Sequence, residues 1–188
     1  MKAMNKQEYK LLFNSDLKRY GGGKKLPLFW SKEIKYTHAL RKCQFYRTKK
    51  LYKPLYLLWT IYKRCLAYQT HFQIPDTAKI GPGFYIGHFG RVIVSPNAVI
   101  GKNVNISTGC TIGGENRGQR KGAPVIGNEV WIGTNAVIVG QINIGSDVMI
   151  APNSFVNFDV PPHSLVIGNP AKIIHKENAT EGYINNKV

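Results

Sequence analysis

Five histidines, three cysteines and one glycine-rich basic run are the features of this sequence best suited to reaction chemistry. His88 stands in Gly87-His88-Phe89-Gly90-Arg91, where a regular spacing of aliphatic residues is interrupted. An imidazole titrates at about pH 6.5 and can take a proton from a hydroxyl near neutral pH, which is the work of a general base. The other histidines read differently. His163 follows Pro161-Pro162 in a turn, His38 and His71 fall in a basic segment as surface or packing residues, and His175 lies near the C-terminus. Cys110 occupies a core-facing position and reads as packing rather than as a nucleophile. Arg117, Arg120 and Lys121 sit in Gly113 to Pro124, a polar loop that could hold an anionic group or merely be well solvated.

The elements that must position these residues follow from a repeat. An aliphatic residue recurs every six positions at Val94, Ile100, Ile106 and Ile112. The register resumes at Ile126 and continues through Ile132, Ile138, Ile144, Ile150 and Val156. Glycine often follows, as at Gly101, Gly113, Gly127, Gly133 and Gly145, and a second buried-type residue comes four positions after the aliphatic one, for example Val104, Cys110, Ala136 and Ser154. Ile74, Ile80 and Ile86 share the spacing, offset by two. A period of six fits neither a 3.6-residue helix nor simple strand alternation. It fits short strands joined by sharp turns, stacked as triangular coils into a parallel β-helix, with glycines tolerating the backbone angles of the corners. Two insertions break the register. Two extra residues surround His88, and eight lie between Ile112 and Ile126. Loops on a rigid scaffold are where ligand contacts concentrate.

Composition divides the chain. Apolar residues make up 43% and charged residues 19%, as expected of a globular protein. Residues 1–73 carry 17 Lys and Arg against Glu8, Asp16 and Glu33, a net of +14, and the remainder is nearly neutral. The basic part implies an anionic neighbour. Its spacing predicts helices over 4–20, ending at Gly21-Gly22-Gly23, over 31–50, and over 51–70 with Pro54 in the first turn. The last of these reads as a helix packed in a small bundle or as an interfacial helix on anionic lipid. No recognition motif for nucleic acid accompanies the charge. No apolar stretch is long enough to span a bilayer, no secretory leader is evident, and three cysteines suggest reduced thiols, so a cytoplasmic protein is expected. The expected organisation is a basic helical region over 1–73, a β-helix over 74–175 and a flexible tail over 176–188.

The stretches IGPGFYIGHFGRVIVSPNAVIGKNVNISTGCTIGG, VIGNEVWIGTNAVIVGQINIGSDVMIAPNSFV and VPPHSLVIGNPAKII resemble the hexapeptide-repeat acyltransferases, in their serine acetyltransferase-like branch. The resemblance covers about 74–175, and Ser15-Asp16-Leu17-Lys18-Arg19-Tyr20 is similar to the helical region of that branch. It implies a mainly β fold, a left-handed parallel β-helix with a small α-helical N-terminal region. It also implies a homotrimer, with a dimer of trimers as a further option, and acetyl-CoA as co-substrate in clefts between prisms without a metal. His88 would be the base. Trp131, Gly133, Ala151 and Lys172 would contact the cofactor, and Arg91, Arg117 and Arg120 the acceptor.

Two departures bear on the acceptor. Serine acetyltransferases carry an aspartate before the base, where Gly87 stands here, and a second histidine at the end of the protruding loop, where Lys121-Gly122-Ala123-Pro124 has none. They favour a sugar hydroxyl of a bacterial polysaccharide, as in capsular and exopolysaccharide O-acetyltransferases, over serine O-acetylation in cysteine biosynthesis. The basic region would then contact an anionic membrane surface. A zinc enzyme resembling the γ-class carbonic anhydrases would need three converging imidazoles, and the coils carry only His88. A non-catalytic scaffold would have little use for a histidine in a register break.

Overall fold

The structure, a computed structural model, describes residues 4–22 and 30–188. Among the described residues three α-helices, with a 3-10 turn at Lys50–Tyr52 before the third, precede fifteen short strands. Helix α1 spans Lys6–Arg19, with the Asn5 side chain accepting the Glu8 N–H at 2.8 Å; α2 spans Lys32–Tyr46 behind Ser31; and α3 spans Lys53–Thr70, with Pro54 in its first turn. These match the three expected segments to within a few residues at each end. Of the expected glycine stop, Gly23 lies outside the described residues.

The strands form a parallel β-helix of five coils. One face holds β1 (Phe72–Gln73), β4 (Val92–Val94), β7 (Thr111–Gly113), β10 (Val137–Val139) and β13 (Phe155–Val156). The second holds β2 (Lys79–Ile80), β5 (Val99–Ile100), β8 (Val125–Ile126) and β11 (Asn143–Ile144). The third holds β3 (Tyr85–Ile86), β6 (Asn105–Ile106), β9 (Val130–Ile132), β12 (Val148–Ile150), β14 (Ser164–Gly168) and the antiparallel β15 (Ala171–His175). Partners are 18 residues apart in Val137↔Phe155, 20 apart in Lys79↔Val99 and 26 apart in Val99↔Val125. The two insertions account for the longer intervals, so both are looped out and the ladder continues around them. The core is the column of aliphatic residues that the repeat marks, from Phe72 to Val166, all below 10% exposed.

The repeat glycines serve a different purpose from the one expected. Gly81, Gly101, Gly127 and Gly145 do not have positive φ; left-handed backbone at the corners falls on Asn103, Glu129, Asp147 and His163 instead. A Cβ on Gly127 would lie 2.8 Å from the carbonyl carbon and oxygen of Gly145, and one on Gly81 would lie 2.7 Å from the Gly101 oxygen. These glycines are required because successive coils stack backbone on backbone at that corner.

An exposed first coil would leave a rim of unpaired backbone groups. The helices cap that rim. Asp16 accepts the Phe84 N–H at 2.8 Å, and the Tyr20 hydroxyl takes the Ile86 N–H at 3.0 Å and donates to the Ile86 carbonyl at 3.2 Å. Fully buried Arg41 donates to the carbonyls of Ile80 and Gly81, both at 2.7 Å, and pairs with Asp16 at 2.7 Å. Tyr36, Ala39, Leu40 and Leu66 join the same core as the first coil, so helices and coils share one interior.

The last residues do not fray as expected. Ala179, Thr180 and Ile184 are buried. Asp147 accepts the N–H groups of Ala179 and Thr180 at 3.1 and 3.0 Å and the Thr180 hydroxyl at 2.9 Å, and Asn103 holds both backbone groups of Val188 at 3.1 Å. Desolvation opposes it, but the hydrogen bonds from Thr180, His163 and Ala179 hold the Asp147 carboxyl below its usual range. The polar composition suggested a solvated tail because its partners are corner residues of distant coils.

Candidate active site

His88 follows β3 at the corner leading to the first face, inside the two-residue insertion. Its loop is fixed from both sides. The Gly90 N–H donates to the Thr70 carbonyl at the end of α3 at 2.8 Å, and Gly90 has a φ of 124° with Thr108 Oγ1 where a Cβ would stand. Only glycine meets both conditions, and the result is a rigid turn that presents the His88 and Phe89 side chains to solvent. Among the described residues none hydrogen-bonds to the His88 ring. At Gly87 a Cβ would meet only Tyr85, at 3.5 Å.

Directly above His88 on the same edge stand Ser107, Gly133 and Ala151, linked by the bonds Gly87 N–H to Ile106, Ser107 N–H to Ile132, Gly133 N–H to Ile150 and Ala151 N–H to Val166. Coil spacing places Gly133 about 10 Å and Ala151 about 14 Å from Gly87 along the axis. These bonds commit the amides of Gly87, Ser107, Gly133 and Ala151 to the ladder, so they cannot stabilise an oxyanion. Among the described residues the amides of Thr108 and Thr134 on the same edge have no partner, and nothing in the sequence singles them out. Cys110 is buried, donates to the Gly133 carbonyl at 3.0 Å, and burial pushes its thiol up to about 11, consistent with packing.

The other site candidates divide by location. Arg91 is exposed on the His88 loop. Arg117 and Arg120 lie on the loop between β7 and β8, at the opposite edge of the first face, braced by the Glu115–Gly122 backbone pair at 2.8 and 2.9 Å and by the Gln141 N–H on the Arg120 carbonyl at 2.8 Å. A single chain therefore does not bring this loop to His88. Trp131 points outward from the third face and lies against Tyr183, ring centroids 4.9 Å apart, beneath the C-terminal segment. Lys172 is exposed on β15 beyond the last coil, opposite Ile167.

Residues 123–157 match the family model described as bacterial transferase hexapeptide (six repeats). A serine acetyltransferase from Helicobacter pylori is 34% identical over 140 residues, covering 74% of this chain and 76% of that protein. The chain belongs to the serine acetyltransferase family of hexapeptide-repeat transferases. Serine acetyltransferase 2 of Arabidopsis thaliana is 34% identical over 149 residues, or 75% of this chain and 46% of its own length, so the chain spans just under half of that plant relative. The serine acetyltransferase of Neisseria gonorrhoeae in complex with serine superposes with a TM-score of 0.73 at 30% identity, over 90% of this chain and 70% of that one.

These relatives overturn the polysaccharide reading of the acceptor. That reading rested on two missing side chains, at Gly87 and in Lys121 to Pro124. The similarity to serine acetyltransferases instead extends across three quarters of the chain and includes the helical region. Two local substitutions can be offset by neighbouring groups, whereas the fold-wide match cannot arise from them.

Proposed function

We propose that this chain is an acetyl-CoA-dependent O-acetyltransferase whose acceptor is the hydroxyl of L-serine, with His88 as general base. The observation that carries the reading is the placement of His88: the one coil histidine in a register break, exposed, on a turn locked by Gly90. Its edge is lined by the small residues Gly133 and Ala151 and by the uncommitted amides of Thr108 and Thr134. The imidazole takes the hydroxyl proton as the oxygen attacks the thioester carbonyl, and returns it to the departing thiolate. The amides of Thr108 and Thr134 are the donors available to the developing oxyanion. Gly133 and Ala151 leave the edge open to an extended acyl carrier, and Lys172 lies beyond it as a cation for the carrier's phosphates. The separation of His88 from Arg117 and Arg120 supports a cleft completed by a neighbouring copy in a trimer, in which the basic loop of one chain reaches the histidine edge of the next. A cytoplasmic location, where acetyl-CoA is available, fits this reading.

The test is free-thiol release from acetyl-CoA with L-serine. His88→Ala should lower kcat by about 100-fold or more with the fold unchanged. Undiminished turnover in that variant, or none in the wild type with L-serine, would overturn the reading.

A further inference from the structure

Helix α3 leaves about half of its circumference uncovered. Leu57, Leu58, Ile61 and Tyr68 are 60%, 61%, 53% and 78% exposed, and Leu55 and Tyr62 continue the same side. At about 100° per residue these positions fill an arc of roughly 160°, and buried Leu66 and Thr70 lie on the remaining part of the circumference. An apolar face of this width is an interaction surface.

Two observations identify what it meets. The first is charge. No acidic residue occurs from Ile34 to Pro75. Lys53 and Arg64 border the apolar arc, Lys49 and Lys50 precede it, and among the described residues Lys50, Lys53 and Arg64 form no ion pair. The second is a cleft of about 380 Å³ beside the start of α3, lined by Lys6, Lys10, Lys42, Tyr9, Tyr46 and Tyr52. Lys42 lies 4.7 Å from the Tyr9 ring centre, and burial holds its ammonium below the usual lysine range, so an anion there would stabilise the charged form.

We infer that the helical region docks on an anionic lipid surface. Helix α3 lies in the plane of the interface, with Leu57, Leu58 and Ile61 at the acyl boundary. Lys53, Arg64 and the Lys6–Lys10–Lys42 cleft meet lipid phosphates. No described helix is long and apolar enough to cross a membrane, so the contact is peripheral. A second copy is a poor occupant, because pairing the faces would bring together two segments of net charge +14 each.

Flotation of the full chain tests this, using vesicles of phosphatidylcholine alone and vesicles mixed with phosphatidylglycerol, alongside sedimentation without lipid. Binding is expected only with phosphatidylglycerol and should weaken with added salt. The double variant Leu58→Asp/Ile61→Asp should lose it with its lipid-free mass unchanged. Lys10→Ala and Lys53→Ala should each weaken it about fivefold, which keeps the test valid if the aspartates disturb the helix. Absence of binding to the anionic vesicles would overturn the inference. So would full binding by all three variants, or a smaller lipid-free mass of the double variant, which would show that a second copy covers this face.

Discussion

Gly87 and His88 show how one residue can mislead about the acceptor and still be informative about the reaction. A Cβ at Gly87 has room, and its φ is not positive, so an aspartate there meets no steric barrier. Gly87→Asp is expected to fold with a melting temperature within a few degrees of wild type. By giving the His88 ring a fixed acceptor, it should raise kcat about tenfold with KM little changed. An unchanged kcat in a stably folded variant would mean that the ring is oriented by another group. The sequence marked His88 because a register break and a histidine coincide. It could not mark Thr108 or Thr134, because whether an amide is spent in the ladder depends on the neighbouring coil.

At the scale of elements, the coils depend on their contact corner. Gly127 has the backbone of Gly145 against it, so a methyl group can be accommodated only by separating two coils. Gly127→Ala should therefore destabilise the β-helix by about 2 kcal/mol, as overpacking of a rigid site does, and lower the melting temperature by roughly 4–8 °C. Differential scanning calorimetry beside Gly87→Ala, where the added methyl has space, separates this cause from a general effect of losing glycine. Equal melting points for the two would sink the stacking account. Six-residue spacing alone could not distinguish a glycine needed for its φ from one needed for close approach, since both occupy turns.

The whole molecule is one interior spanning helices and coils, and its weak point under acid lies in the helices. His38 sits among Phe13, Trp30 and Trp59, with its Nε2 3.0 Å from the Tyr9 hydroxyl. Burial first, and Lys42 second, lower its pKa from 6.5 to about 4. The unfolded chain takes up a proton below 6.5 that the folded chain refuses until about 4. Stability should accordingly be unaffected above the upper value, fall as pH drops through the window and level off below it. His38→Gln retains a hydrogen-bonding side chain and removes the titration, so its denaturation midpoint should fall less over that window. Parallel pH profiles for variant and wild type would rule this out.

The sequence by itself determined the β-helix, its two insertions and the position of His88 in one of them. A six-residue period has few physical solutions, and an insertion in a stacked coil must leave the prism. It also located the three helices, whose caps and prolines are local signals. Only the tertiary structure decided how those helices are used: Asp16, Tyr20 and Arg41 satisfy backbone groups more than 35 residues away, at the rim of the first coil. The same holds for the C-terminal segment, whose polar residues looked solvated until Asp147 and Asn103 were found holding it. Trp131 lies under that segment, and the basic loop sits an edge away from His88. Spacing along a chain reports periodic burial, because burial recurs with the backbone geometry. It carries no record of which distant groups meet, because such pairings depend on the three-dimensional path.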